Sequence, residues 1–355
     1  MELLRVVSMA MVLVLHGLKK TGALDYLSGV HYWVYWGLNT ACYCAVNLFV
    51  LISGYFQVSA KFKTRNVLKV AVTGIWIYSV VFSALQMFLA REPVSKVEIL
   101  RAVFPLLTNK FWFVNSYVLL YLISPYLNKV LRTLNRAQLT ALVITLVVVI
   151  SVRITIFPMT WTQVADGGMG IIWFVTLYCV AAWLRLCDMQ WLKAWMGAVL
   201  YLVATVAMLV GKWLLLMLGL GGYAIKMYNY ASVFVLAQAV GLFVAFLKSK
   251  PVPARSEKLI GLAGKHSYSV YIIHFAMWNV LFTTILGLDK CLANPFVGMV
   301  AMLAATVLIY VFCILVDMVK CWVENRAGAH LLKTKTGNTY LQIVGKLDDL
   351  VNGQE

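Results

Sequence analysis

The chain contains few charged residues, and most of those it has are basic. Asp, Glu, Lys and Arg make up only 12% of its 355 residues, whereas 63% are hydrophobic. A soluble domain of this size lacks the polar surface needed to cover so much apolar material. The composition therefore predicts an all-α polytopic membrane protein that lies in the lipid bilayer. We assign its net charge of +17 to connecting segments and expect no nucleic-acid partner.

Signatures of several other protein classes are missing. The seven cysteines form no CxxC pair, so we expect neither a disulfide framework nor a zinc site, and no metal. The sequence contains no Walker loop, dinucleotide fingerprint, GxSxG motif or internal repeat. No cleavage site of small residues follows the first apolar stretch, which is therefore interpreted as a membrane helix and not as a signal peptide.

Ten apolar stretches are long enough, or nearly long enough, to cross a bilayer. We place these helices at about residues 4–19, 36–57, 67–90, 112–131, 138–157, 169–187, 191–211, 228–248, 266–288 and 295–321. With a cytoplasmic N-terminus, most Lys and Arg residues fall on the cytoplasmic side, as the positive-inside rule requires. The sequence thus predicts about ten transmembrane helices with both termini cytoplasmic. Residues 1–322 would form the transmembrane domain, and residues 323–355 a cytoplasmic tail.

The first predicted helix carries an arginine and a histidine on one face. Arg5 and His16 are eleven positions apart, which is close to three turns and about 16 Å along a helix axis. A cation and an imidazole are costly in lipid, so we expect both to face the protein interior. Because histidine exchanges a proton near neutral pH, His16 is a candidate general base. Taken alone, the two residues also fit a cytoplasmic flank charge and an interfacial histidine.

Polar residues in other apolar stretches are candidates for lining a pocket. Asn115 is expected to hydrogen-bond inside the bundle, because an amide is costly when it faces lipid. Ser267, Tyr271 and His274 recur at helical spacing and form one polar stripe on the ninth predicted helix. Such a stripe indicates a lined cavity more than a lipid-facing surface.

Three further segments stand out by their composition: an aromatic cluster, a basic run and a stretch with prolines and cations. Residues 31–36, His-Tyr-Trp-Val-Tyr-Trp, are typical of an interfacial aromatic belt, and alternatively line a sugar site. The basic run of Lys61, Lys63 and Arg65 is typical of an orientation signal near anionic lipid, and alternatively holds a phosphorylated donor. Residues 248–265 contain two prolines and five cations, which predicts a cytoplasmic connector.

Four stretches together match the motif pattern of a known family of membrane proteins. They are the pair Arg5 and His16, residues 48–55 (LFVLISGY), residues 111–113 (FWF) with 121–125 (YLISP), and residues 264–274 (GKHSYSVYIIH). In this order and in a ten-helix frame, over about residues 3–322, they resemble the acyltransferase-3 family, in particular its polysaccharide O-acetyltransferases. Asn47 departs from the proline or acid that is frequent there. Members commonly have a longer basic lead-in, so a start upstream of Met1 stays open.

The resemblance implies a bacterial inner-membrane enzyme that moves an acetyl group from cytoplasmic acetyl-CoA to a hydroxyl of a cell-surface or lipid-linked glycan. Acetyl-CoA would be a donor substrate, with no bound cofactor, and the glycan-synthesis machinery would be a partner. His16, as the general base, and Arg5 would be the catalytic residues. Arg5 would also bind the donor together with Lys61, Lys63 and Arg65, because lysine and arginine suit phosphates, or it would pair with an acid that positions the helix.

The other candidates divide between the two halves of the reaction. The pocket or oxyanion candidates, among which the sequence does not choose, are Ser53, Asn115, Ser267, Tyr271 and His274. The acceptor candidates are Trp112, Trp161 and Asp166, and the loop that carries the last two equally fits an ordinary polar loop. Direct transfer and a relay through an acyl-histidine on His16 both remain open, with direct transfer the simpler route.

Two functions of other classes remain compatible with the composition. A transporter or flippase of a lipid-linked saccharide would be expected to show symmetry between its halves, and we find none. A non-catalytic membrane protein that binds a ligand would tolerate the loss of His16. Among enzymes, the sequence does not distinguish acetyl from succinyl transfer, because the two acyl groups differ by only a few atoms.

Overall fold

The computed structural model describes residues 1–90, 95–157, 166–278, 294–331 and 334–353. All regular secondary structure in these ranges is helical, as the composition predicts. Within them, the helices long and apolar enough to cross a membrane are Gly29–Gln57, Thr64–Ala84, Arg136–Ile156, Ala194–Met217 and Phe296–Arg326. Two shorter apolar helices are Ile171–Leu186 and Val233–Leu247. The chain is therefore a helical membrane protein, and the count of ten spans and the orientation of the termini stay predictions.

We number the longer helices in chain order. They are α1 (Glu2–Lys20), α2 (Gly29–Cys42), α3 (Ala45–Gln57), α4 (Thr64–Leu68, Lys69–Trp76 and Ile77–Ala90), α5 (Lys96–Val103), α6 (Trp112–Thr133), α7 (Arg136–Leu146, Val147–Val152 and Arg153–Ile156), α8 (Ile171–Leu186), α9 (Ala194–Met217), α10 (Val233–Leu247), α11 (Ala254–Met277), α12 (Pro295–Leu331) and α13 (Lys335–Asn352). The middle segments of α4 and α7 are π-helical. Shorter helical turns are Ala23–Tyr26, Asp166–Gly168 and Gly221–Lys226.

Helices that carry polar residues lie inside the bundle, and strongly apolar helices surround them. Helix α1 packs against α11, α12, α2 and α3, and α8 packs against α3 and α6. The side chains of Trp173 and Tyr178 on α8 are fully buried. In contrast, α9 exposes Val199, Leu202 and Val206 along one side. A long helix with an exposed apolar side is stable in lipid, so the outer helices separate the polar interior from the bilayer.

Helices α9 and α10 approach each other closely through two glycines. A Cβ atom added to Gly197 would lie 2.5 Å from the carbonyl oxygen of Gly241. A Cβ atom added to Gly241 would lie 2.7 Å from the backbone nitrogen of Tyr201. Only glycine fits such contacts, and small residues at a crossing are typical of membrane helix pairs. This crossing fixes the position of α9, which carries Lys212.

Several predicted boundaries are wrong. The second predicted helix, residues 36–57, is the C-terminal part of the apolar span Gly29–Gln57, which a turn at Tyr43 and Cys44 divides into α2 and α3. Helix α2 begins at Gly29, so the aromatic cluster of residues 31–36 is helical and does not end a loop. Helix α10 begins at Val233, five residues after the predicted start. Aromatic and apolar residues continue across these junctions, so hydropathy alone does not mark them.

Three other helices run further than predicted. The connector predicted over residues 248–265 ends early, because α11 begins at Ala254 directly after Pro253. Proline is compatible with a helix start, and cations are tolerated on an exposed first turn, so neither excluded a helix there. Helix α9 continues to Met217 and includes Lys212. Helix α12 reaches Leu331, so the predicted division at residue 322 falls within a helix.

Candidate active site

Two histidines from different helices meet inside the bundle. His16 Nδ1 on α1 lies 2.5 Å from His274 Nε2 on α11. Their ring planes are 11° from parallel and their centroids are 4.8 Å apart, so the two rings lie edge to edge with the nitrogens facing each other. His274 is buried, with 1% of its surface exposed. We call His16 and His274 the histidine pair.

The surroundings of the histidine pair fix where its protons lie. His274 Nδ1 lies 2.9 Å from the backbone carbonyl oxygen of Val270, which only accepts hydrogen bonds. His274 Nδ1 therefore carries the proton, and its Nε2 accepts one from His16 Nδ1. In the neutral ring of His16, Nε2 is then the unprotonated nitrogen. That atom is able to take a proton from a reacting group.

Gly17, the residue after His16, brings α1 close to α11 and α12. A Cβ atom added at Gly17 would lie 2.6 Å from the sulfur of Met302 and 2.7 Å from the ring of Trp278. Both side chains are fully buried, so neither has room to move away. The glycine therefore lets the backbone beside His16 approach α11, which is what allows the two imidazoles to meet.

A series of aromatic contacts leads from the histidine pair to α6. The ring of Tyr271 lies 5.9 Å from the ring of His274 and 5.3 Å from that of Phe113, centroid to centroid. Phe113 is stacked with Tyr117, one turn further along α6, at 6.0 Å. The predicted pocket residues Tyr271 and His274 therefore lie together, next to two aromatic residues of α6.

A cavity of about 270 Å³ lies beside Tyr117, between α3, α4 and α6. Its lining residues are Gln57, Asn66, Val67, Lys69, Val70, Tyr117, Val118 and Tyr121. The Tyr117 hydroxyl accepts a hydrogen bond from Gln57 Nε2 at 3.2 Å and is also hydrogen-bonded to Ser53. The predicted pocket residue Ser53 therefore lies beside Tyr117, which lines this cavity and belongs to the ring series.

A smaller cavity of about 140 Å³ lies next to the basic run that follows α3. It is lined by Ala60, Lys61, Phe62, Pro125, Asn128, Lys129, Arg132, Val351, Asn352 and Gly353. Three of these residues are cations and none is an acid. Arg132 is oriented by a hydrogen bond from its Nε to the carbonyl oxygen of Val58, at 2.7 Å. We call this the basic cavity, and its chemistry suits a phosphate group.

The last helix, α13, holds the loop that carries the basic run. The Phe62 amide donates to Asn352 Oδ1 at 2.8 Å, and Asn352 Nδ2 donates back to the Phe62 carbonyl oxygen at 3.0 Å. The Thr64 amide donates to Asp348 Oδ1 at 2.6 Å. The predicted tail therefore forms one wall of the basic cavity. Sequence analysis did not foresee this, because the contact joins residues 290 positions apart.

The predicted donor-binding residues are not all in one place. Lys61 lines the basic cavity, but Lys63 and Arg65 are exposed and line neither cavity. Arg5 forms an ion pair with Glu2 in the first turn of α1, and about a third of its side chain is exposed (35%). Of the four predicted donor contacts, Lys61 is therefore the one that lines either of these two cavities.

Two predicted pocket residues have other contacts. Asn115 Nδ2 donates to the carbonyl oxygen of Leu106 at 2.7 Å and to Asn109 Oδ1 at 2.9 Å. Asn115 thus fastens the segment before α6, because both of its acceptors lie in that connecting segment. Ser267 Oγ lies 3.0 Å from the hydroxyl of Tyr310 on α12, away from the histidine pair.

Aromatic residues surround the first turn of α6. The predicted acceptor residue Trp112 stacks on Tyr230 at 5.7 Å, and Tyr230 stacks on Tyr43 at 5.1 Å. Asn47 Nδ2 donates to the carbonyl oxygen of Tyr230 at 2.8 Å and so holds this segment. Asp166 is exposed in a short turn, and Trp161 lies outside the described residues.

A buried polar network joins α4, α11 and α12. Asp317 accepts hydrogen bonds from Tyr78 and from His266 Nδ1, each at 2.5 Å, and also from Ser269. Sequence analysis missed Asp317, although a lone acid in a long apolar stretch is the signal that would have found it. Lys320 Nζ lies 4.0 Å from this carboxylate.

The same network contains the described residues best placed to hold a metal. His266, Asp317 and Cys321 offer ligand atoms within 4.8 Å of one another. The Lys320 ammonium beside Asp317 opposes a divalent cation, because like charges repel strongly where water is scarce. The hydrogen bonds to Asp317 already satisfy the carboxylate. We therefore interpret this network as structural.

Comparison with known proteins gives one match. A family model described as an acyltransferase domain matches residues 1–317, which contain the histidine pair and most of both cavities. No curated protein and no solved structure matches the chain.

Proposed function

Because the chain belongs to the acyltransferase-3 family, a family of membrane acyltransferases, we propose that it transfers an acetyl group from acetyl-CoA to a hydroxyl of a cell-surface or lipid-linked glycan. The observation that carries this proposal is the histidine pair. A hydroxyl is a poor nucleophile until its proton is removed, and His16 Nε2 is an unprotonated nitrogen held in a defined position. The site of the reaction is then the bacterial inner membrane.

In the proposed reaction, His16 Nε2 takes the proton of the acceptor hydroxyl as the oxygen attacks the thioester carbonyl. The tetrahedral intermediate collapses, the carbon–sulfur bond breaks, and the thiolate of CoA takes the proton back from His16. His274 accepts the hydrogen bond from His16 Nδ1 throughout and stabilises the imidazolium that forms in between. This direct route needs no acetyl-histidine, so acetylated His16 is not expected in the absence of an acceptor.

The oxyanion of the intermediate needs a hydrogen-bond donor close to the base. Among the predicted donors other than His274, Tyr271 is the one whose ring contacts the histidine pair. Its phenol is able to donate to an oxygen that becomes charged during the reaction. We assign this role to Tyr271, and Ser53 and Tyr117 to the path along which the donor approaches.

The two cavities support the proposed path of the donor. The basic cavity, with Lys61, Lys129 and Arg132, suits the phosphates of CoA. The larger cavity begins near the same loop and ends at Tyr117, from which the ring series leads to His274. The pantetheine arm of CoA is long and thin, so it fits a narrow passage beside these rings. Positively charged loops of this kind are expected on the cytoplasmic side, where acetyl-CoA is made.

The test uses inverted membrane vesicles, whose cytoplasmic face is outward. Vesicles that contain the protein are given acetyl-CoA labelled in the acetyl group, and label is measured in the extracted glycan and glycolipid fractions. Wild-type vesicles should label one of these fractions, and vesicles with His16→Gln at the same protein level should not. Equal labelling by wild type and His16→Gln would overturn the assignment of the base. No labelling in either would overturn the proposed reaction.

A further inference from the structure

Lys212 is a buried cation on α9, five residues before the helix ends at Met217. Only 1% of its surface is exposed. Its Nζ lies 3.3 Å from the centroid of the Trp36 ring, 5.3 Å from that of Tyr228 and 5.8 Å from that of Tyr32. We call Lys212 and these three rings the Lys212 cage. The proposed catalytic reaction, as described so far, does not use it.

The cage contains two hydrogen-bond donors without an acceptor. Across the described part of the chain, Lys212 has neither an ion pair nor a hydrogen bond. The indole nitrogen of Trp36 is buried and likewise has no partner among the described residues. Contact with aromatic faces offsets only part of the cost of burying an ammonium. The two donors of the cage therefore lack an acceptor, and a group rich in oxygen atoms would supply one to both.

Aromatic contacts connect the Lys212 cage to Trp112, a predicted acceptor residue. The ring of Trp36 lies 4.8 Å from that of Tyr228, and Tyr228 lies 5.3 Å from Tyr43. Tyr43 stacks on Tyr230, which stacks on Trp112. Aromatic contacts are thus continuous from the Lys212 cage to Trp112, and through Phe113 and Tyr271 to the histidine pair. The series is able to contact several successive units of a saccharide.

We propose that the Lys212 cage binds the carboxylate of an acidic sugar in the acceptor glycan, and this inference rests on the proposed acyl transfer. The ammonium of Lys212 and the indole N–H of Trp36 donate to the carboxylate, and the flat rings pack on the apolar face of the sugar. A lipid headgroup would meet cations at the bilayer surface, whereas Lys212 is enclosed by rings inside the protein. The acceptor is therefore an anionic glycan that contains uronic acid.

The experiment measures saccharide binding to the full chain in nanodiscs of phosphatidylcholine. The probes are an oligosaccharide that contains glucuronic acid and its carboxyl-reduced form, in which the acid has become glucose. Wild type should bind the acidic probe roughly tenfold more tightly, as expected for a hydrogen bond to a charged group. Lys212→Met should remove this preference, whereas Lys212→Arg should keep most of it. Lys193→Met, an exposed lysine at the other end of α9, should have no effect.

Four results would overturn the inference. Three of them are equal binding of the two probes by wild type, an acidic preference that survives in Lys212→Met, and no binding of either probe. The fourth is a preference that disappears when anionic phosphatidylglycerol replaces zwitterionic phosphatidylcholine, because an anionic lipid headgroup would then be the occupant. Labelling of glycan in the vesicle assay reports on acyl transfer separately, so failure of this inference is distinguishable from failure of the proposed function.

Discussion

His16 donates its Nδ1 proton to His274 Nε2 across 2.5 Å, and His274 donates its own Nδ1 proton to the carbonyl oxygen of Val270 at 2.9 Å. The two bonds run in one direction and leave Nε2 of His16 as the basic nitrogen. A backbone carbonyl in a helix has a fixed position and no proton to give, so the direction does not reverse while both rings are neutral. His274 is therefore a positioning residue as well as a hydrogen-bond partner.

Replacement of His274 should lower turnover and leave donor binding intact. In His274→Ala, His16 loses the acceptor that fixes its tautomer, so kcat should fall about a hundredfold. The KM for acetyl-CoA should stay within about twofold, because His274 lies away from both cavities. His274→Gln offers an amide oxygen as an acceptor and should recover part of kcat. Steady-state kinetics in nanodiscs measure both constants, and a rise in KM at constant kcat would contradict the positioning role.

The basic cavity should recognise the phosphates of the donor. Lys129→Gln removes one of its cations and should raise the KM for acetyl-CoA roughly tenfold, as expected for loss of a hydrogen bond between charged groups. The effect should be much smaller with acetyl-dephospho-CoA, which lacks the 3′-phosphate. Lys248→Gln removes an exposed lysine that lines neither cavity and serves as the control. An equal rise in KM with both donors would show that this cavity does not recognise the 3′-phosphate.

Helix α13 should order the loop beside the basic cavity. Asn352→Ala removes two hydrogen bonds to the backbone of Phe62. Each is worth about 1 kcal/mol, so the amides of Phe62 and Thr64 should exchange with deuterium at least about fivefold faster. Exchange along α1 should not change. Mass spectrometry of peptic fragments gives both rates, and unchanged exchange at residues 62–64 would show that the loop is ordered without α13.

Asp317 should stabilise the fold without taking part in the reaction. Asp317→Ala leaves His266 and Tyr78 buried without their common acceptor, and we expect it to lower the free energy of unfolding by about 3 kcal/mol. Asp349→Ala, at an exposed position of α13, should change it by less than about 0.5 kcal/mol. Equilibrium unfolding in mixed detergent micelles measures the difference. A stable Asp317→Ala protein that has lost acetyl transfer would instead assign Asp317 to the reaction.

The sequence predicts the helices better than it predicts their contacts. A long apolar stretch is recognised from consecutive residues alone. Hydropathy therefore places most of six helices correctly, namely α1, α4, α6, α7, α8 and α12. Asn115 is correctly seen as a polar residue that needs partners, but its acceptors lie in a connecting segment that the pattern does not identify. Lys212 was visible as a cation beside an apolar run. Its burial depends on rings from α2 and from the segment before α10. Sequence periodicity does not predict that these two segments meet around Lys212.

The candidate site is only partly visible in the sequence, for a similar reason. His16 and His274 are each marked by a motif, but they are 258 positions apart. Their direct contact depends on how α1 packs on α11, and Gly17 makes that packing close. The wall that α13 adds to the basic cavity is likewise a long-range contact. Single-residue chemistry can be predicted from sequence, whereas the pairing of residues requires the fold.

The most direct test of the account is the O-acetyl content of surface glycan, measured by proton NMR on material from cells that make this protein. Wild type and Lys248→Gln, which alters an exposed lysine that lines neither cavity, should both give acetyl resonances. His16→Ala at an equal level of membrane protein should lose them. Acetyl resonances that persist unchanged with His16→Ala would contradict the central claim that His16 is the base for acetyl transfer to a glycan.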